Sequence, residues 1–226
     1  ETFIQTNEYQ TGYVSVELDK QGHPNYTIHE NVAWDQIHWN NTLSELAETA
    51  DAICFGSLAQ RNAVSRETIQ RFLKSAPDHC LKVFDINLRQ HYYTSEILLE
   101  SLDHSNVLKL NEDELPVIAD ILGIEGDVES QVKSLMSRFQ LKYVAYTLGG
   151  AGSYLYGPDE MSFVKAPVVN VVDTVGAGDS FTAILIAGLL NEIPLKAVHE
   201  KATEVSAFVC SSAGATPVRE EEFWLF

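Results

Sequence analysis

Four short apolar segments constrain this chain more than anything else in it: DAICFGS (51–57), LKVFDIN (81–87), NVLKL (106–110) and KYVAYTLGG (142–150). Helix-periodic stretches alternate with them. TLSELAETA (42–50) precedes the first, with Thr42 expected as N-cap and Glu45 three residues on. SRETIQRFLKSA (65–76) separates the first two, residues 95–102 follow the second, and 112–122 and 128–139 precede the fourth. Short, nearly continuous apolar runs read as strands covered on both faces. A strand–helix–strand repeat joins such strands in parallel through right-handed crossovers. The prediction is an α/β fold, a mostly parallel sheet flanked by helices in three layers. Further strands are expected at 152–156 and 161–167, and two long helices near 178–191 and 195–212 close the chain.

The front of the chain does not follow this repeat. TGYVSVELD alternates Tyr13, Ser15 and Glu17 with Val14, Val16 and Leu18, a period of two. KQGHP reads as a turn and NYTIHE as a second strand. The expected organisation is a small β-hairpin over 10–32 that projects from an α/β body over 33–226. The chain opens on ETFIQTNEYQ with no Met, in what looks like the approach to a strand, so its beginning is expected to be missing.

Composition narrows the function. Against 32 Asp and Glu stand only 15 Lys and Arg, a formal net charge of −17 with no basic cluster, so a nucleic-acid partner is not expected. No apolar run reaches the roughly 18–20 residues of a membrane span. Cys54, Cys80 and Cys210 are scattered, which suits a reducing cytosol and offers neither a disulfide framework nor zinc-ligand spacing. So acidic a chain, if it handles phosphates, needs local help from backbone amides, a metal ion or an isolated Arg.

In open α/β sheets ligands bind beyond the carboxyl ends of the strands. Four polar clusters fall there: Gly56–Ser57, Asp85–Asn87–Arg89, Asn111–Glu114 and Thr147–Gly150. A fifth feature, DTVGAGDSFTAILIAGLL (173–190), runs Gly176, Ala177 and Gly178 into Asp179 and then into an apolar helix. Glycines there let backbone N–H groups approach an anion at a helix N-terminus. The carboxylate would repel that anion unless it serves as a base beside it; a plain N-cap is the competing reading. The turn is neither a GxxxxGK[ST] phosphate loop nor a GxGxxG fingerprint.

DTVGAGDSF resembles the carboxy-terminal signature of the ribokinase-like (PfkB) carbohydrate kinases. KLNEDEL resembles their Asn-x-x-Glu element, TLGGAGS their nucleotide-contacting strand end, and SSAGATP (211–217) their loop around the adenine. FDINLR looks like the Asp-x-Asn-x-Arg segment of fructokinase-like and 2-keto-3-deoxygluconate kinase-like members. These matches stand in family order from about residue 10 to 217.

The resemblance implies an ATP- and Mg²⁺-dependent kinase for a sugar hydroxyl, fructose first among substrates. Asp179 would be the base, and Gly176, Ala177 and Gly178 would offer amides to the transferring phosphoryl group. Asn111 and Glu114 would hold hydrated Mg²⁺ and phosphates. Thr147, Gly149 and Gly214 would line the nucleotide, and Arg89 would face phosphate or sugar. Asp173 and Val175 match a monovalent-cation site that would take K⁺. The hairpin would be a lid over the sugar and, with its apolar face, a homodimer contact. The family's first strand and part of its sugar grip have no counterpart in the chain. 2-Keto-3-deoxygluconate, ribose and nucleosides stay open as substrates, as do a vitamin-like alcohol and a non-catalytic sugar- or nucleotide-binding relative.

Overall fold

The structure, a computed structural model, describes residues 3–18, 21 and 24–224. Strands β1 (Val14–Leu18) and β2 (Pro24–Ile28) form a two-stranded antiparallel sheet of their own, with Val14 opposite Ile28 and Val16 opposite Tyr26. Lys20, Gly22 and His23 of the expected turn lie outside the described residues. The period of two puts Val14, Val16 and Tyr26 on one face of this hairpin, and all three are more than half exposed.

After the hairpin come α1 (Asn41–Glu48), β3 (Ala52–Gly56), α2 (Ala63–Ser75), β4 (Leu81–Asp85), α3 (Ser95–Asp103), β5 (Val107–Asn111), α4 (Glu114–Leu122), α5 (Val128–Phe139) and β6 (Tyr143–Thr147). Strands β7 (Ser153–Tyr156) and β8 (Met161–Val164) follow, then α6 (Ala177–Leu190) and α7 (Leu195–Cys210). The six-stranded sheet runs β3-β4-β5-β6-β7-β8. The first four strands are parallel; β7 and β8 return antiparallel because no helix separates them.

Alternation along the strands sorts the core into two faces. Phe55, Phe84, Leu108, Leu110, Val144 and Tyr146 pack with helix residues such as Leu73, Leu98, Ile118 and Leu135 on one side. Val83, Val107, Ala145 and Leu155 pack against Phe181, Leu185, Val198 and Val205 of α6 and α7 on the other. Helix α6 is apolar nearly all round because it lies between the sheet and α7.

Two expectations change. The cap of α1 is Asn40, whose Oδ1 accepts the Leu43 amide at 2.9 Å; Thr42 is already inside the helix. Among the described residues strand β3 is the sheet edge rather than a buried strand, so Ile53 is half-buried and Cys54 exposed.

Candidate active site

All four strand-end clusters lie at the carboxyl edge of the parallel strands. At the first, a Cβ on Gly56 would stand 3.1 Å from the Asp85 carbonyl oxygen, a tight fit that a larger residue could make only by shifting β4 a few tenths of an ångström. At the second, Asn87 and Gln90 take positive φ (46° and 48°) and shape a tight loop around Arg89. Arg89 is exposed and donates from Nη1 to its neighbour's carbonyl, Leu88 O, at 3.0 Å. The hairpin rests on this same loop. Gln90 Nε2 donates to Tyr26 O (2.6 Å) and Tyr92 Oη to Ile28 O (3.0 Å).

The Asn111–Glu114 turn is tightly closed. Asn111 Oδ1 accepts the amides of Asp113 and Glu114, both at 2.9 Å, and starts α4. The Glu114 carboxylate is buried and accepts the Leu88 amide on one oxygen (2.9 Å) and the Asn111 amide on the other (2.8 Å). Burial pushes its pKa up, against the pull of those two amides. Among the described residues no three His, Cys, Asp or Glu side chains gather as a ready metal cage.

Gly176, the residue that caps the start of α6, lies in the left-handed region, φ +81°. Its place admits no side chain: a Cβ would stand 2.8–2.9 Å from Ala215 in the loop after α7. The carbonyl of Ala177 accepts the hydroxyls of Ser180 (2.9 Å) and of Ser206 on α7 (3.0 Å). Asp179 is exposed in this first turn. Asp173 Oδ1 accepts the Val175 amide at 3.0 Å and folds the approach to the turn, while Val175 itself is exposed.

Beside the turn lies a cavity of about 500 Å³. Thr147 and Gly149 line it from the end of β6, and Ala177 and Gly178 from the start of α6. Its remaining wall is mostly apolar, with Pro167, Val168 and Val171 from the strandless segment between β8 and α6 and Phe181, Ala207 and Cys210, interrupted by polar side chains such as Lys165, Thr203 and Ser206. Mostly apolar walls at one end and the amino-terminal turn of α6 at the other suit a flat base carrying phosphates. Gly214, with φ +76°, and Arg89 are not on the lining of this cavity, unlike Thr147 and Gly149.

Two side chains at this site had no part in the sequence reading. Lys109, on β5 opposite Asp85 of β4, places Nζ 3.0 Å from both Asp85 carboxylate oxygens, with each side chain only 10% exposed. Thr182, on α6, brings its hydroxyl within 3.2 Å of Asp85 Oδ2. The signal was present: a lone charged residue inside VLKLN must be paired when that strand is buried. The apolar wall at 167–171 carries no periodicity and gave no signal.

The chain is similar to known proteins in sequence and in fold. Residues 1–222 match the pfkB family carbohydrate kinases. The chain is 28% identical to a fructokinase of Salmonella typhimurium over 93% of its own length and 69% of that protein's. A sugar kinase of Pyrococcus horikoshii, solved in complex with ATP, superposes with a TM-score of 0.75 at 27% identity, over 93% of this chain and 68% of that one. A 2-dehydro-3-deoxygluconokinase of Thermotoga maritima shares the fold, with a TM-score of 0.79 at 20% identity over 94% and 71% of the two chains. The ribokinase-like architecture, the cavity beside the glycine turn and the match over almost the whole sequence lead to one assignment: this chain belongs to the pfkB family of carbohydrate kinases.

Proposed function

We propose that the chain transfers the γ-phosphoryl group of ATP to a sugar hydroxyl at the first turn of α6, with fructose the preferred acceptor. The observation that carries the reading is the exposed carboxylate of Asp179 directly after two turn residues, Ala177 and Gly178, that line the 500 Å³ cavity. ATP lies with its base against Val168, Phe181 and Ala207 and its phosphates toward the amides of residues 176–178. Asp179 takes the hydroxyl proton as the sugar oxygen attacks the γ-phosphorus, a role usually worth roughly 10²–10⁴ in rate. The amides stabilise charge as it spreads over the phosphoryl oxygens.

Bound Mg²⁺ would offset the phosphate charge, with Asn111 and Glu114 behind it through water. Asp173 and Val175 would hold a K⁺ ion. Arg89 would face the sugar or its phosphate, and Thr147, Gly149 and Gly214 would border the nucleotide. Residues 10–32 would act as a lid that excludes water, which matters because a kinase open to water hydrolyses ATP. The exposed apolar face of the hairpin supports a homodimer through that surface. Among the described residues no helix is long and apolar enough to cross a membrane, and the scattered cysteines favour a cytoplasmic enzyme.

Fructose rests on the FDINLR segment and on relatives named fructokinase at modest identity. ADP release against fructose, ribose, 2-keto-3-deoxygluconate and adenosine tests it. The highest kcat/KM with fructose is expected. Another winner keeps the chemistry and removes the substrate; ATP binding without any turnover removes the catalytic reading.

A further inference from the structure

We propose that Lys109 is a positioning residue for the catalytic turn, acting through Asp85 and Thr182 on the residue that precedes Asp179. The proposal rests on the reading of Asp179 as the base. Both ends of this buried network reach Gly178. At one end, a methyl on residue 178 would stand 3.1 Å from Lys109 Nζ, so the ammonium lies directly against the backbone of the turn. At the other, the Thr182 hydroxyl is 3.0 Å from the Gly178 carbonyl oxygen and 3.2 Å from Asp85 Oδ2. The hydroxyl has one proton, which it shares between these two acceptors in a three-centre hydrogen bond, linking the Asp85 carboxylate to the turn. Asp85 is thereby tied to β5 by Lys109 and to α6 by Thr182.

Burial pushes the Asp85 carboxyl up, while Lys109 and Thr182 pull it back toward the charged form. The Asp85 pair thus fixes the height of the first turn of α6 above the sheet, and with it the place of Asp179. Shifts of about 1 Å in such a group can cost 10²-fold in rate.

Changing Lys109 alone would leave a buried carboxylate without its partner, so the test neutralises both. In Asp85→Asn/Lys109→Met the expected result is a folded protein with its melting temperature near that of the parent. Its kcat should fall at least tenfold, with KM for ATP and sugar within threefold. Thr182→Val keeps the volume and removes only the bridge, which keeps the proposal testable if the double variant does not fold. Its kcat should fall about three- to tenfold with both KM values unchanged. A folded double variant, or Thr182→Val, with kcat within twofold of the parent overturns the proposal. A fall carried by KM alone overturns it as well. If the kinase reading itself is wrong, the parent shows no sugar-dependent ADP release, an outcome distinct from an active parent with equally active variants.

Discussion

Gly176→Ala probes the turn at its tightest point, and Gly214→Ala supplies its control. Both glycines have positive φ, +81° and +76°. An L-residue in that region costs roughly 1–2 kcal/mol. At Gly214 nothing lies within 4 Å of the added Cβ, so the backbone cost stands alone. At Gly176 the Cβ meets Ala215 Cβ and O at 2.8 Å and Cα at 2.9 Å. Ordinary contact begins near 3.4 Å, so turn or loop must retreat by about 0.6 Å or more. Overpacking of this kind costs a further ~1–3 kcal/mol. In a chain of this size each kcal/mol lowers the melting temperature by roughly 2–4 °C. Gly214→Ala should therefore lose about 2–8 °C and Gly176→Ala about 4–20 °C by scanning calorimetry. Where the turn itself yields, the cost moves into catalysis, and kcat/KM for Gly176→Ala should fall by up to roughly 10²-fold. If Gly176→Ala is no worse than Gly214→Ala in both melting and kcat/KM, the close approach to Ala215 does not matter and the account of the turn fails.

Three further outcomes are expected. His199 is fully buried between Ser153 Oγ (2.8 Å) and Ser162 Oγ (3.0 Å), and burial lowers its pKa to about 4 from 6.5. Its neutral form is the folded one, so the associated stability is complete above pH 6.5 and is lost between 6.5 and 4. Urea unfolding should show about 3 kcal/mol disappearing over that window, and His199→Gln should flatten it. Arg61 is clamped by Asp35 through Nε–Oδ1 and Nη2–Oδ2, both 2.9 Å, and lies over the rings of Trp34 and Tyr92. Asp35→Ala leaves that cation buried and should cost about 3–5 kcal/mol in urea titrations; a cost below 1 kcal/mol would contradict the clamp. Val16→Asp on the exposed hairpin face should convert a dimer to a monomer in gel filtration, and an unchanged elution volume would remove the hairpin from the interface.

The α/β body was legible because each strand carries its own apolar run and each helix its own stripe. LKVFDIN and NVLKL fall in β4 and β5 within two residues. What was not legible depends on neighbours in space. Cys54 reads as buried in DAICFGS, yet β3 has a partner on one side only among the described residues. The cap of α1 was misplaced because Asn40 and Thr42 are both good capping residues, and backbone geometry decides between them. At the site, the glycine turn and Asn111–Glu114 announce themselves by residue type. Lys109 and Thr182 do not, because their meaning comes from the register of β4 with β5 and the packing of α6 on both.

Asp179→Asn tests the central claim most directly, with turnover and ATP affinity measured on one preparation. The substitution removes the base and keeps the shape of the turn. The account predicts that sugar-dependent ADP release falls by roughly 10²–10⁴-fold, while the Kd for ATP changes by less than threefold. Turnover within a few-fold of the parent would contradict it and place the chemistry somewhere other than the first turn of α6.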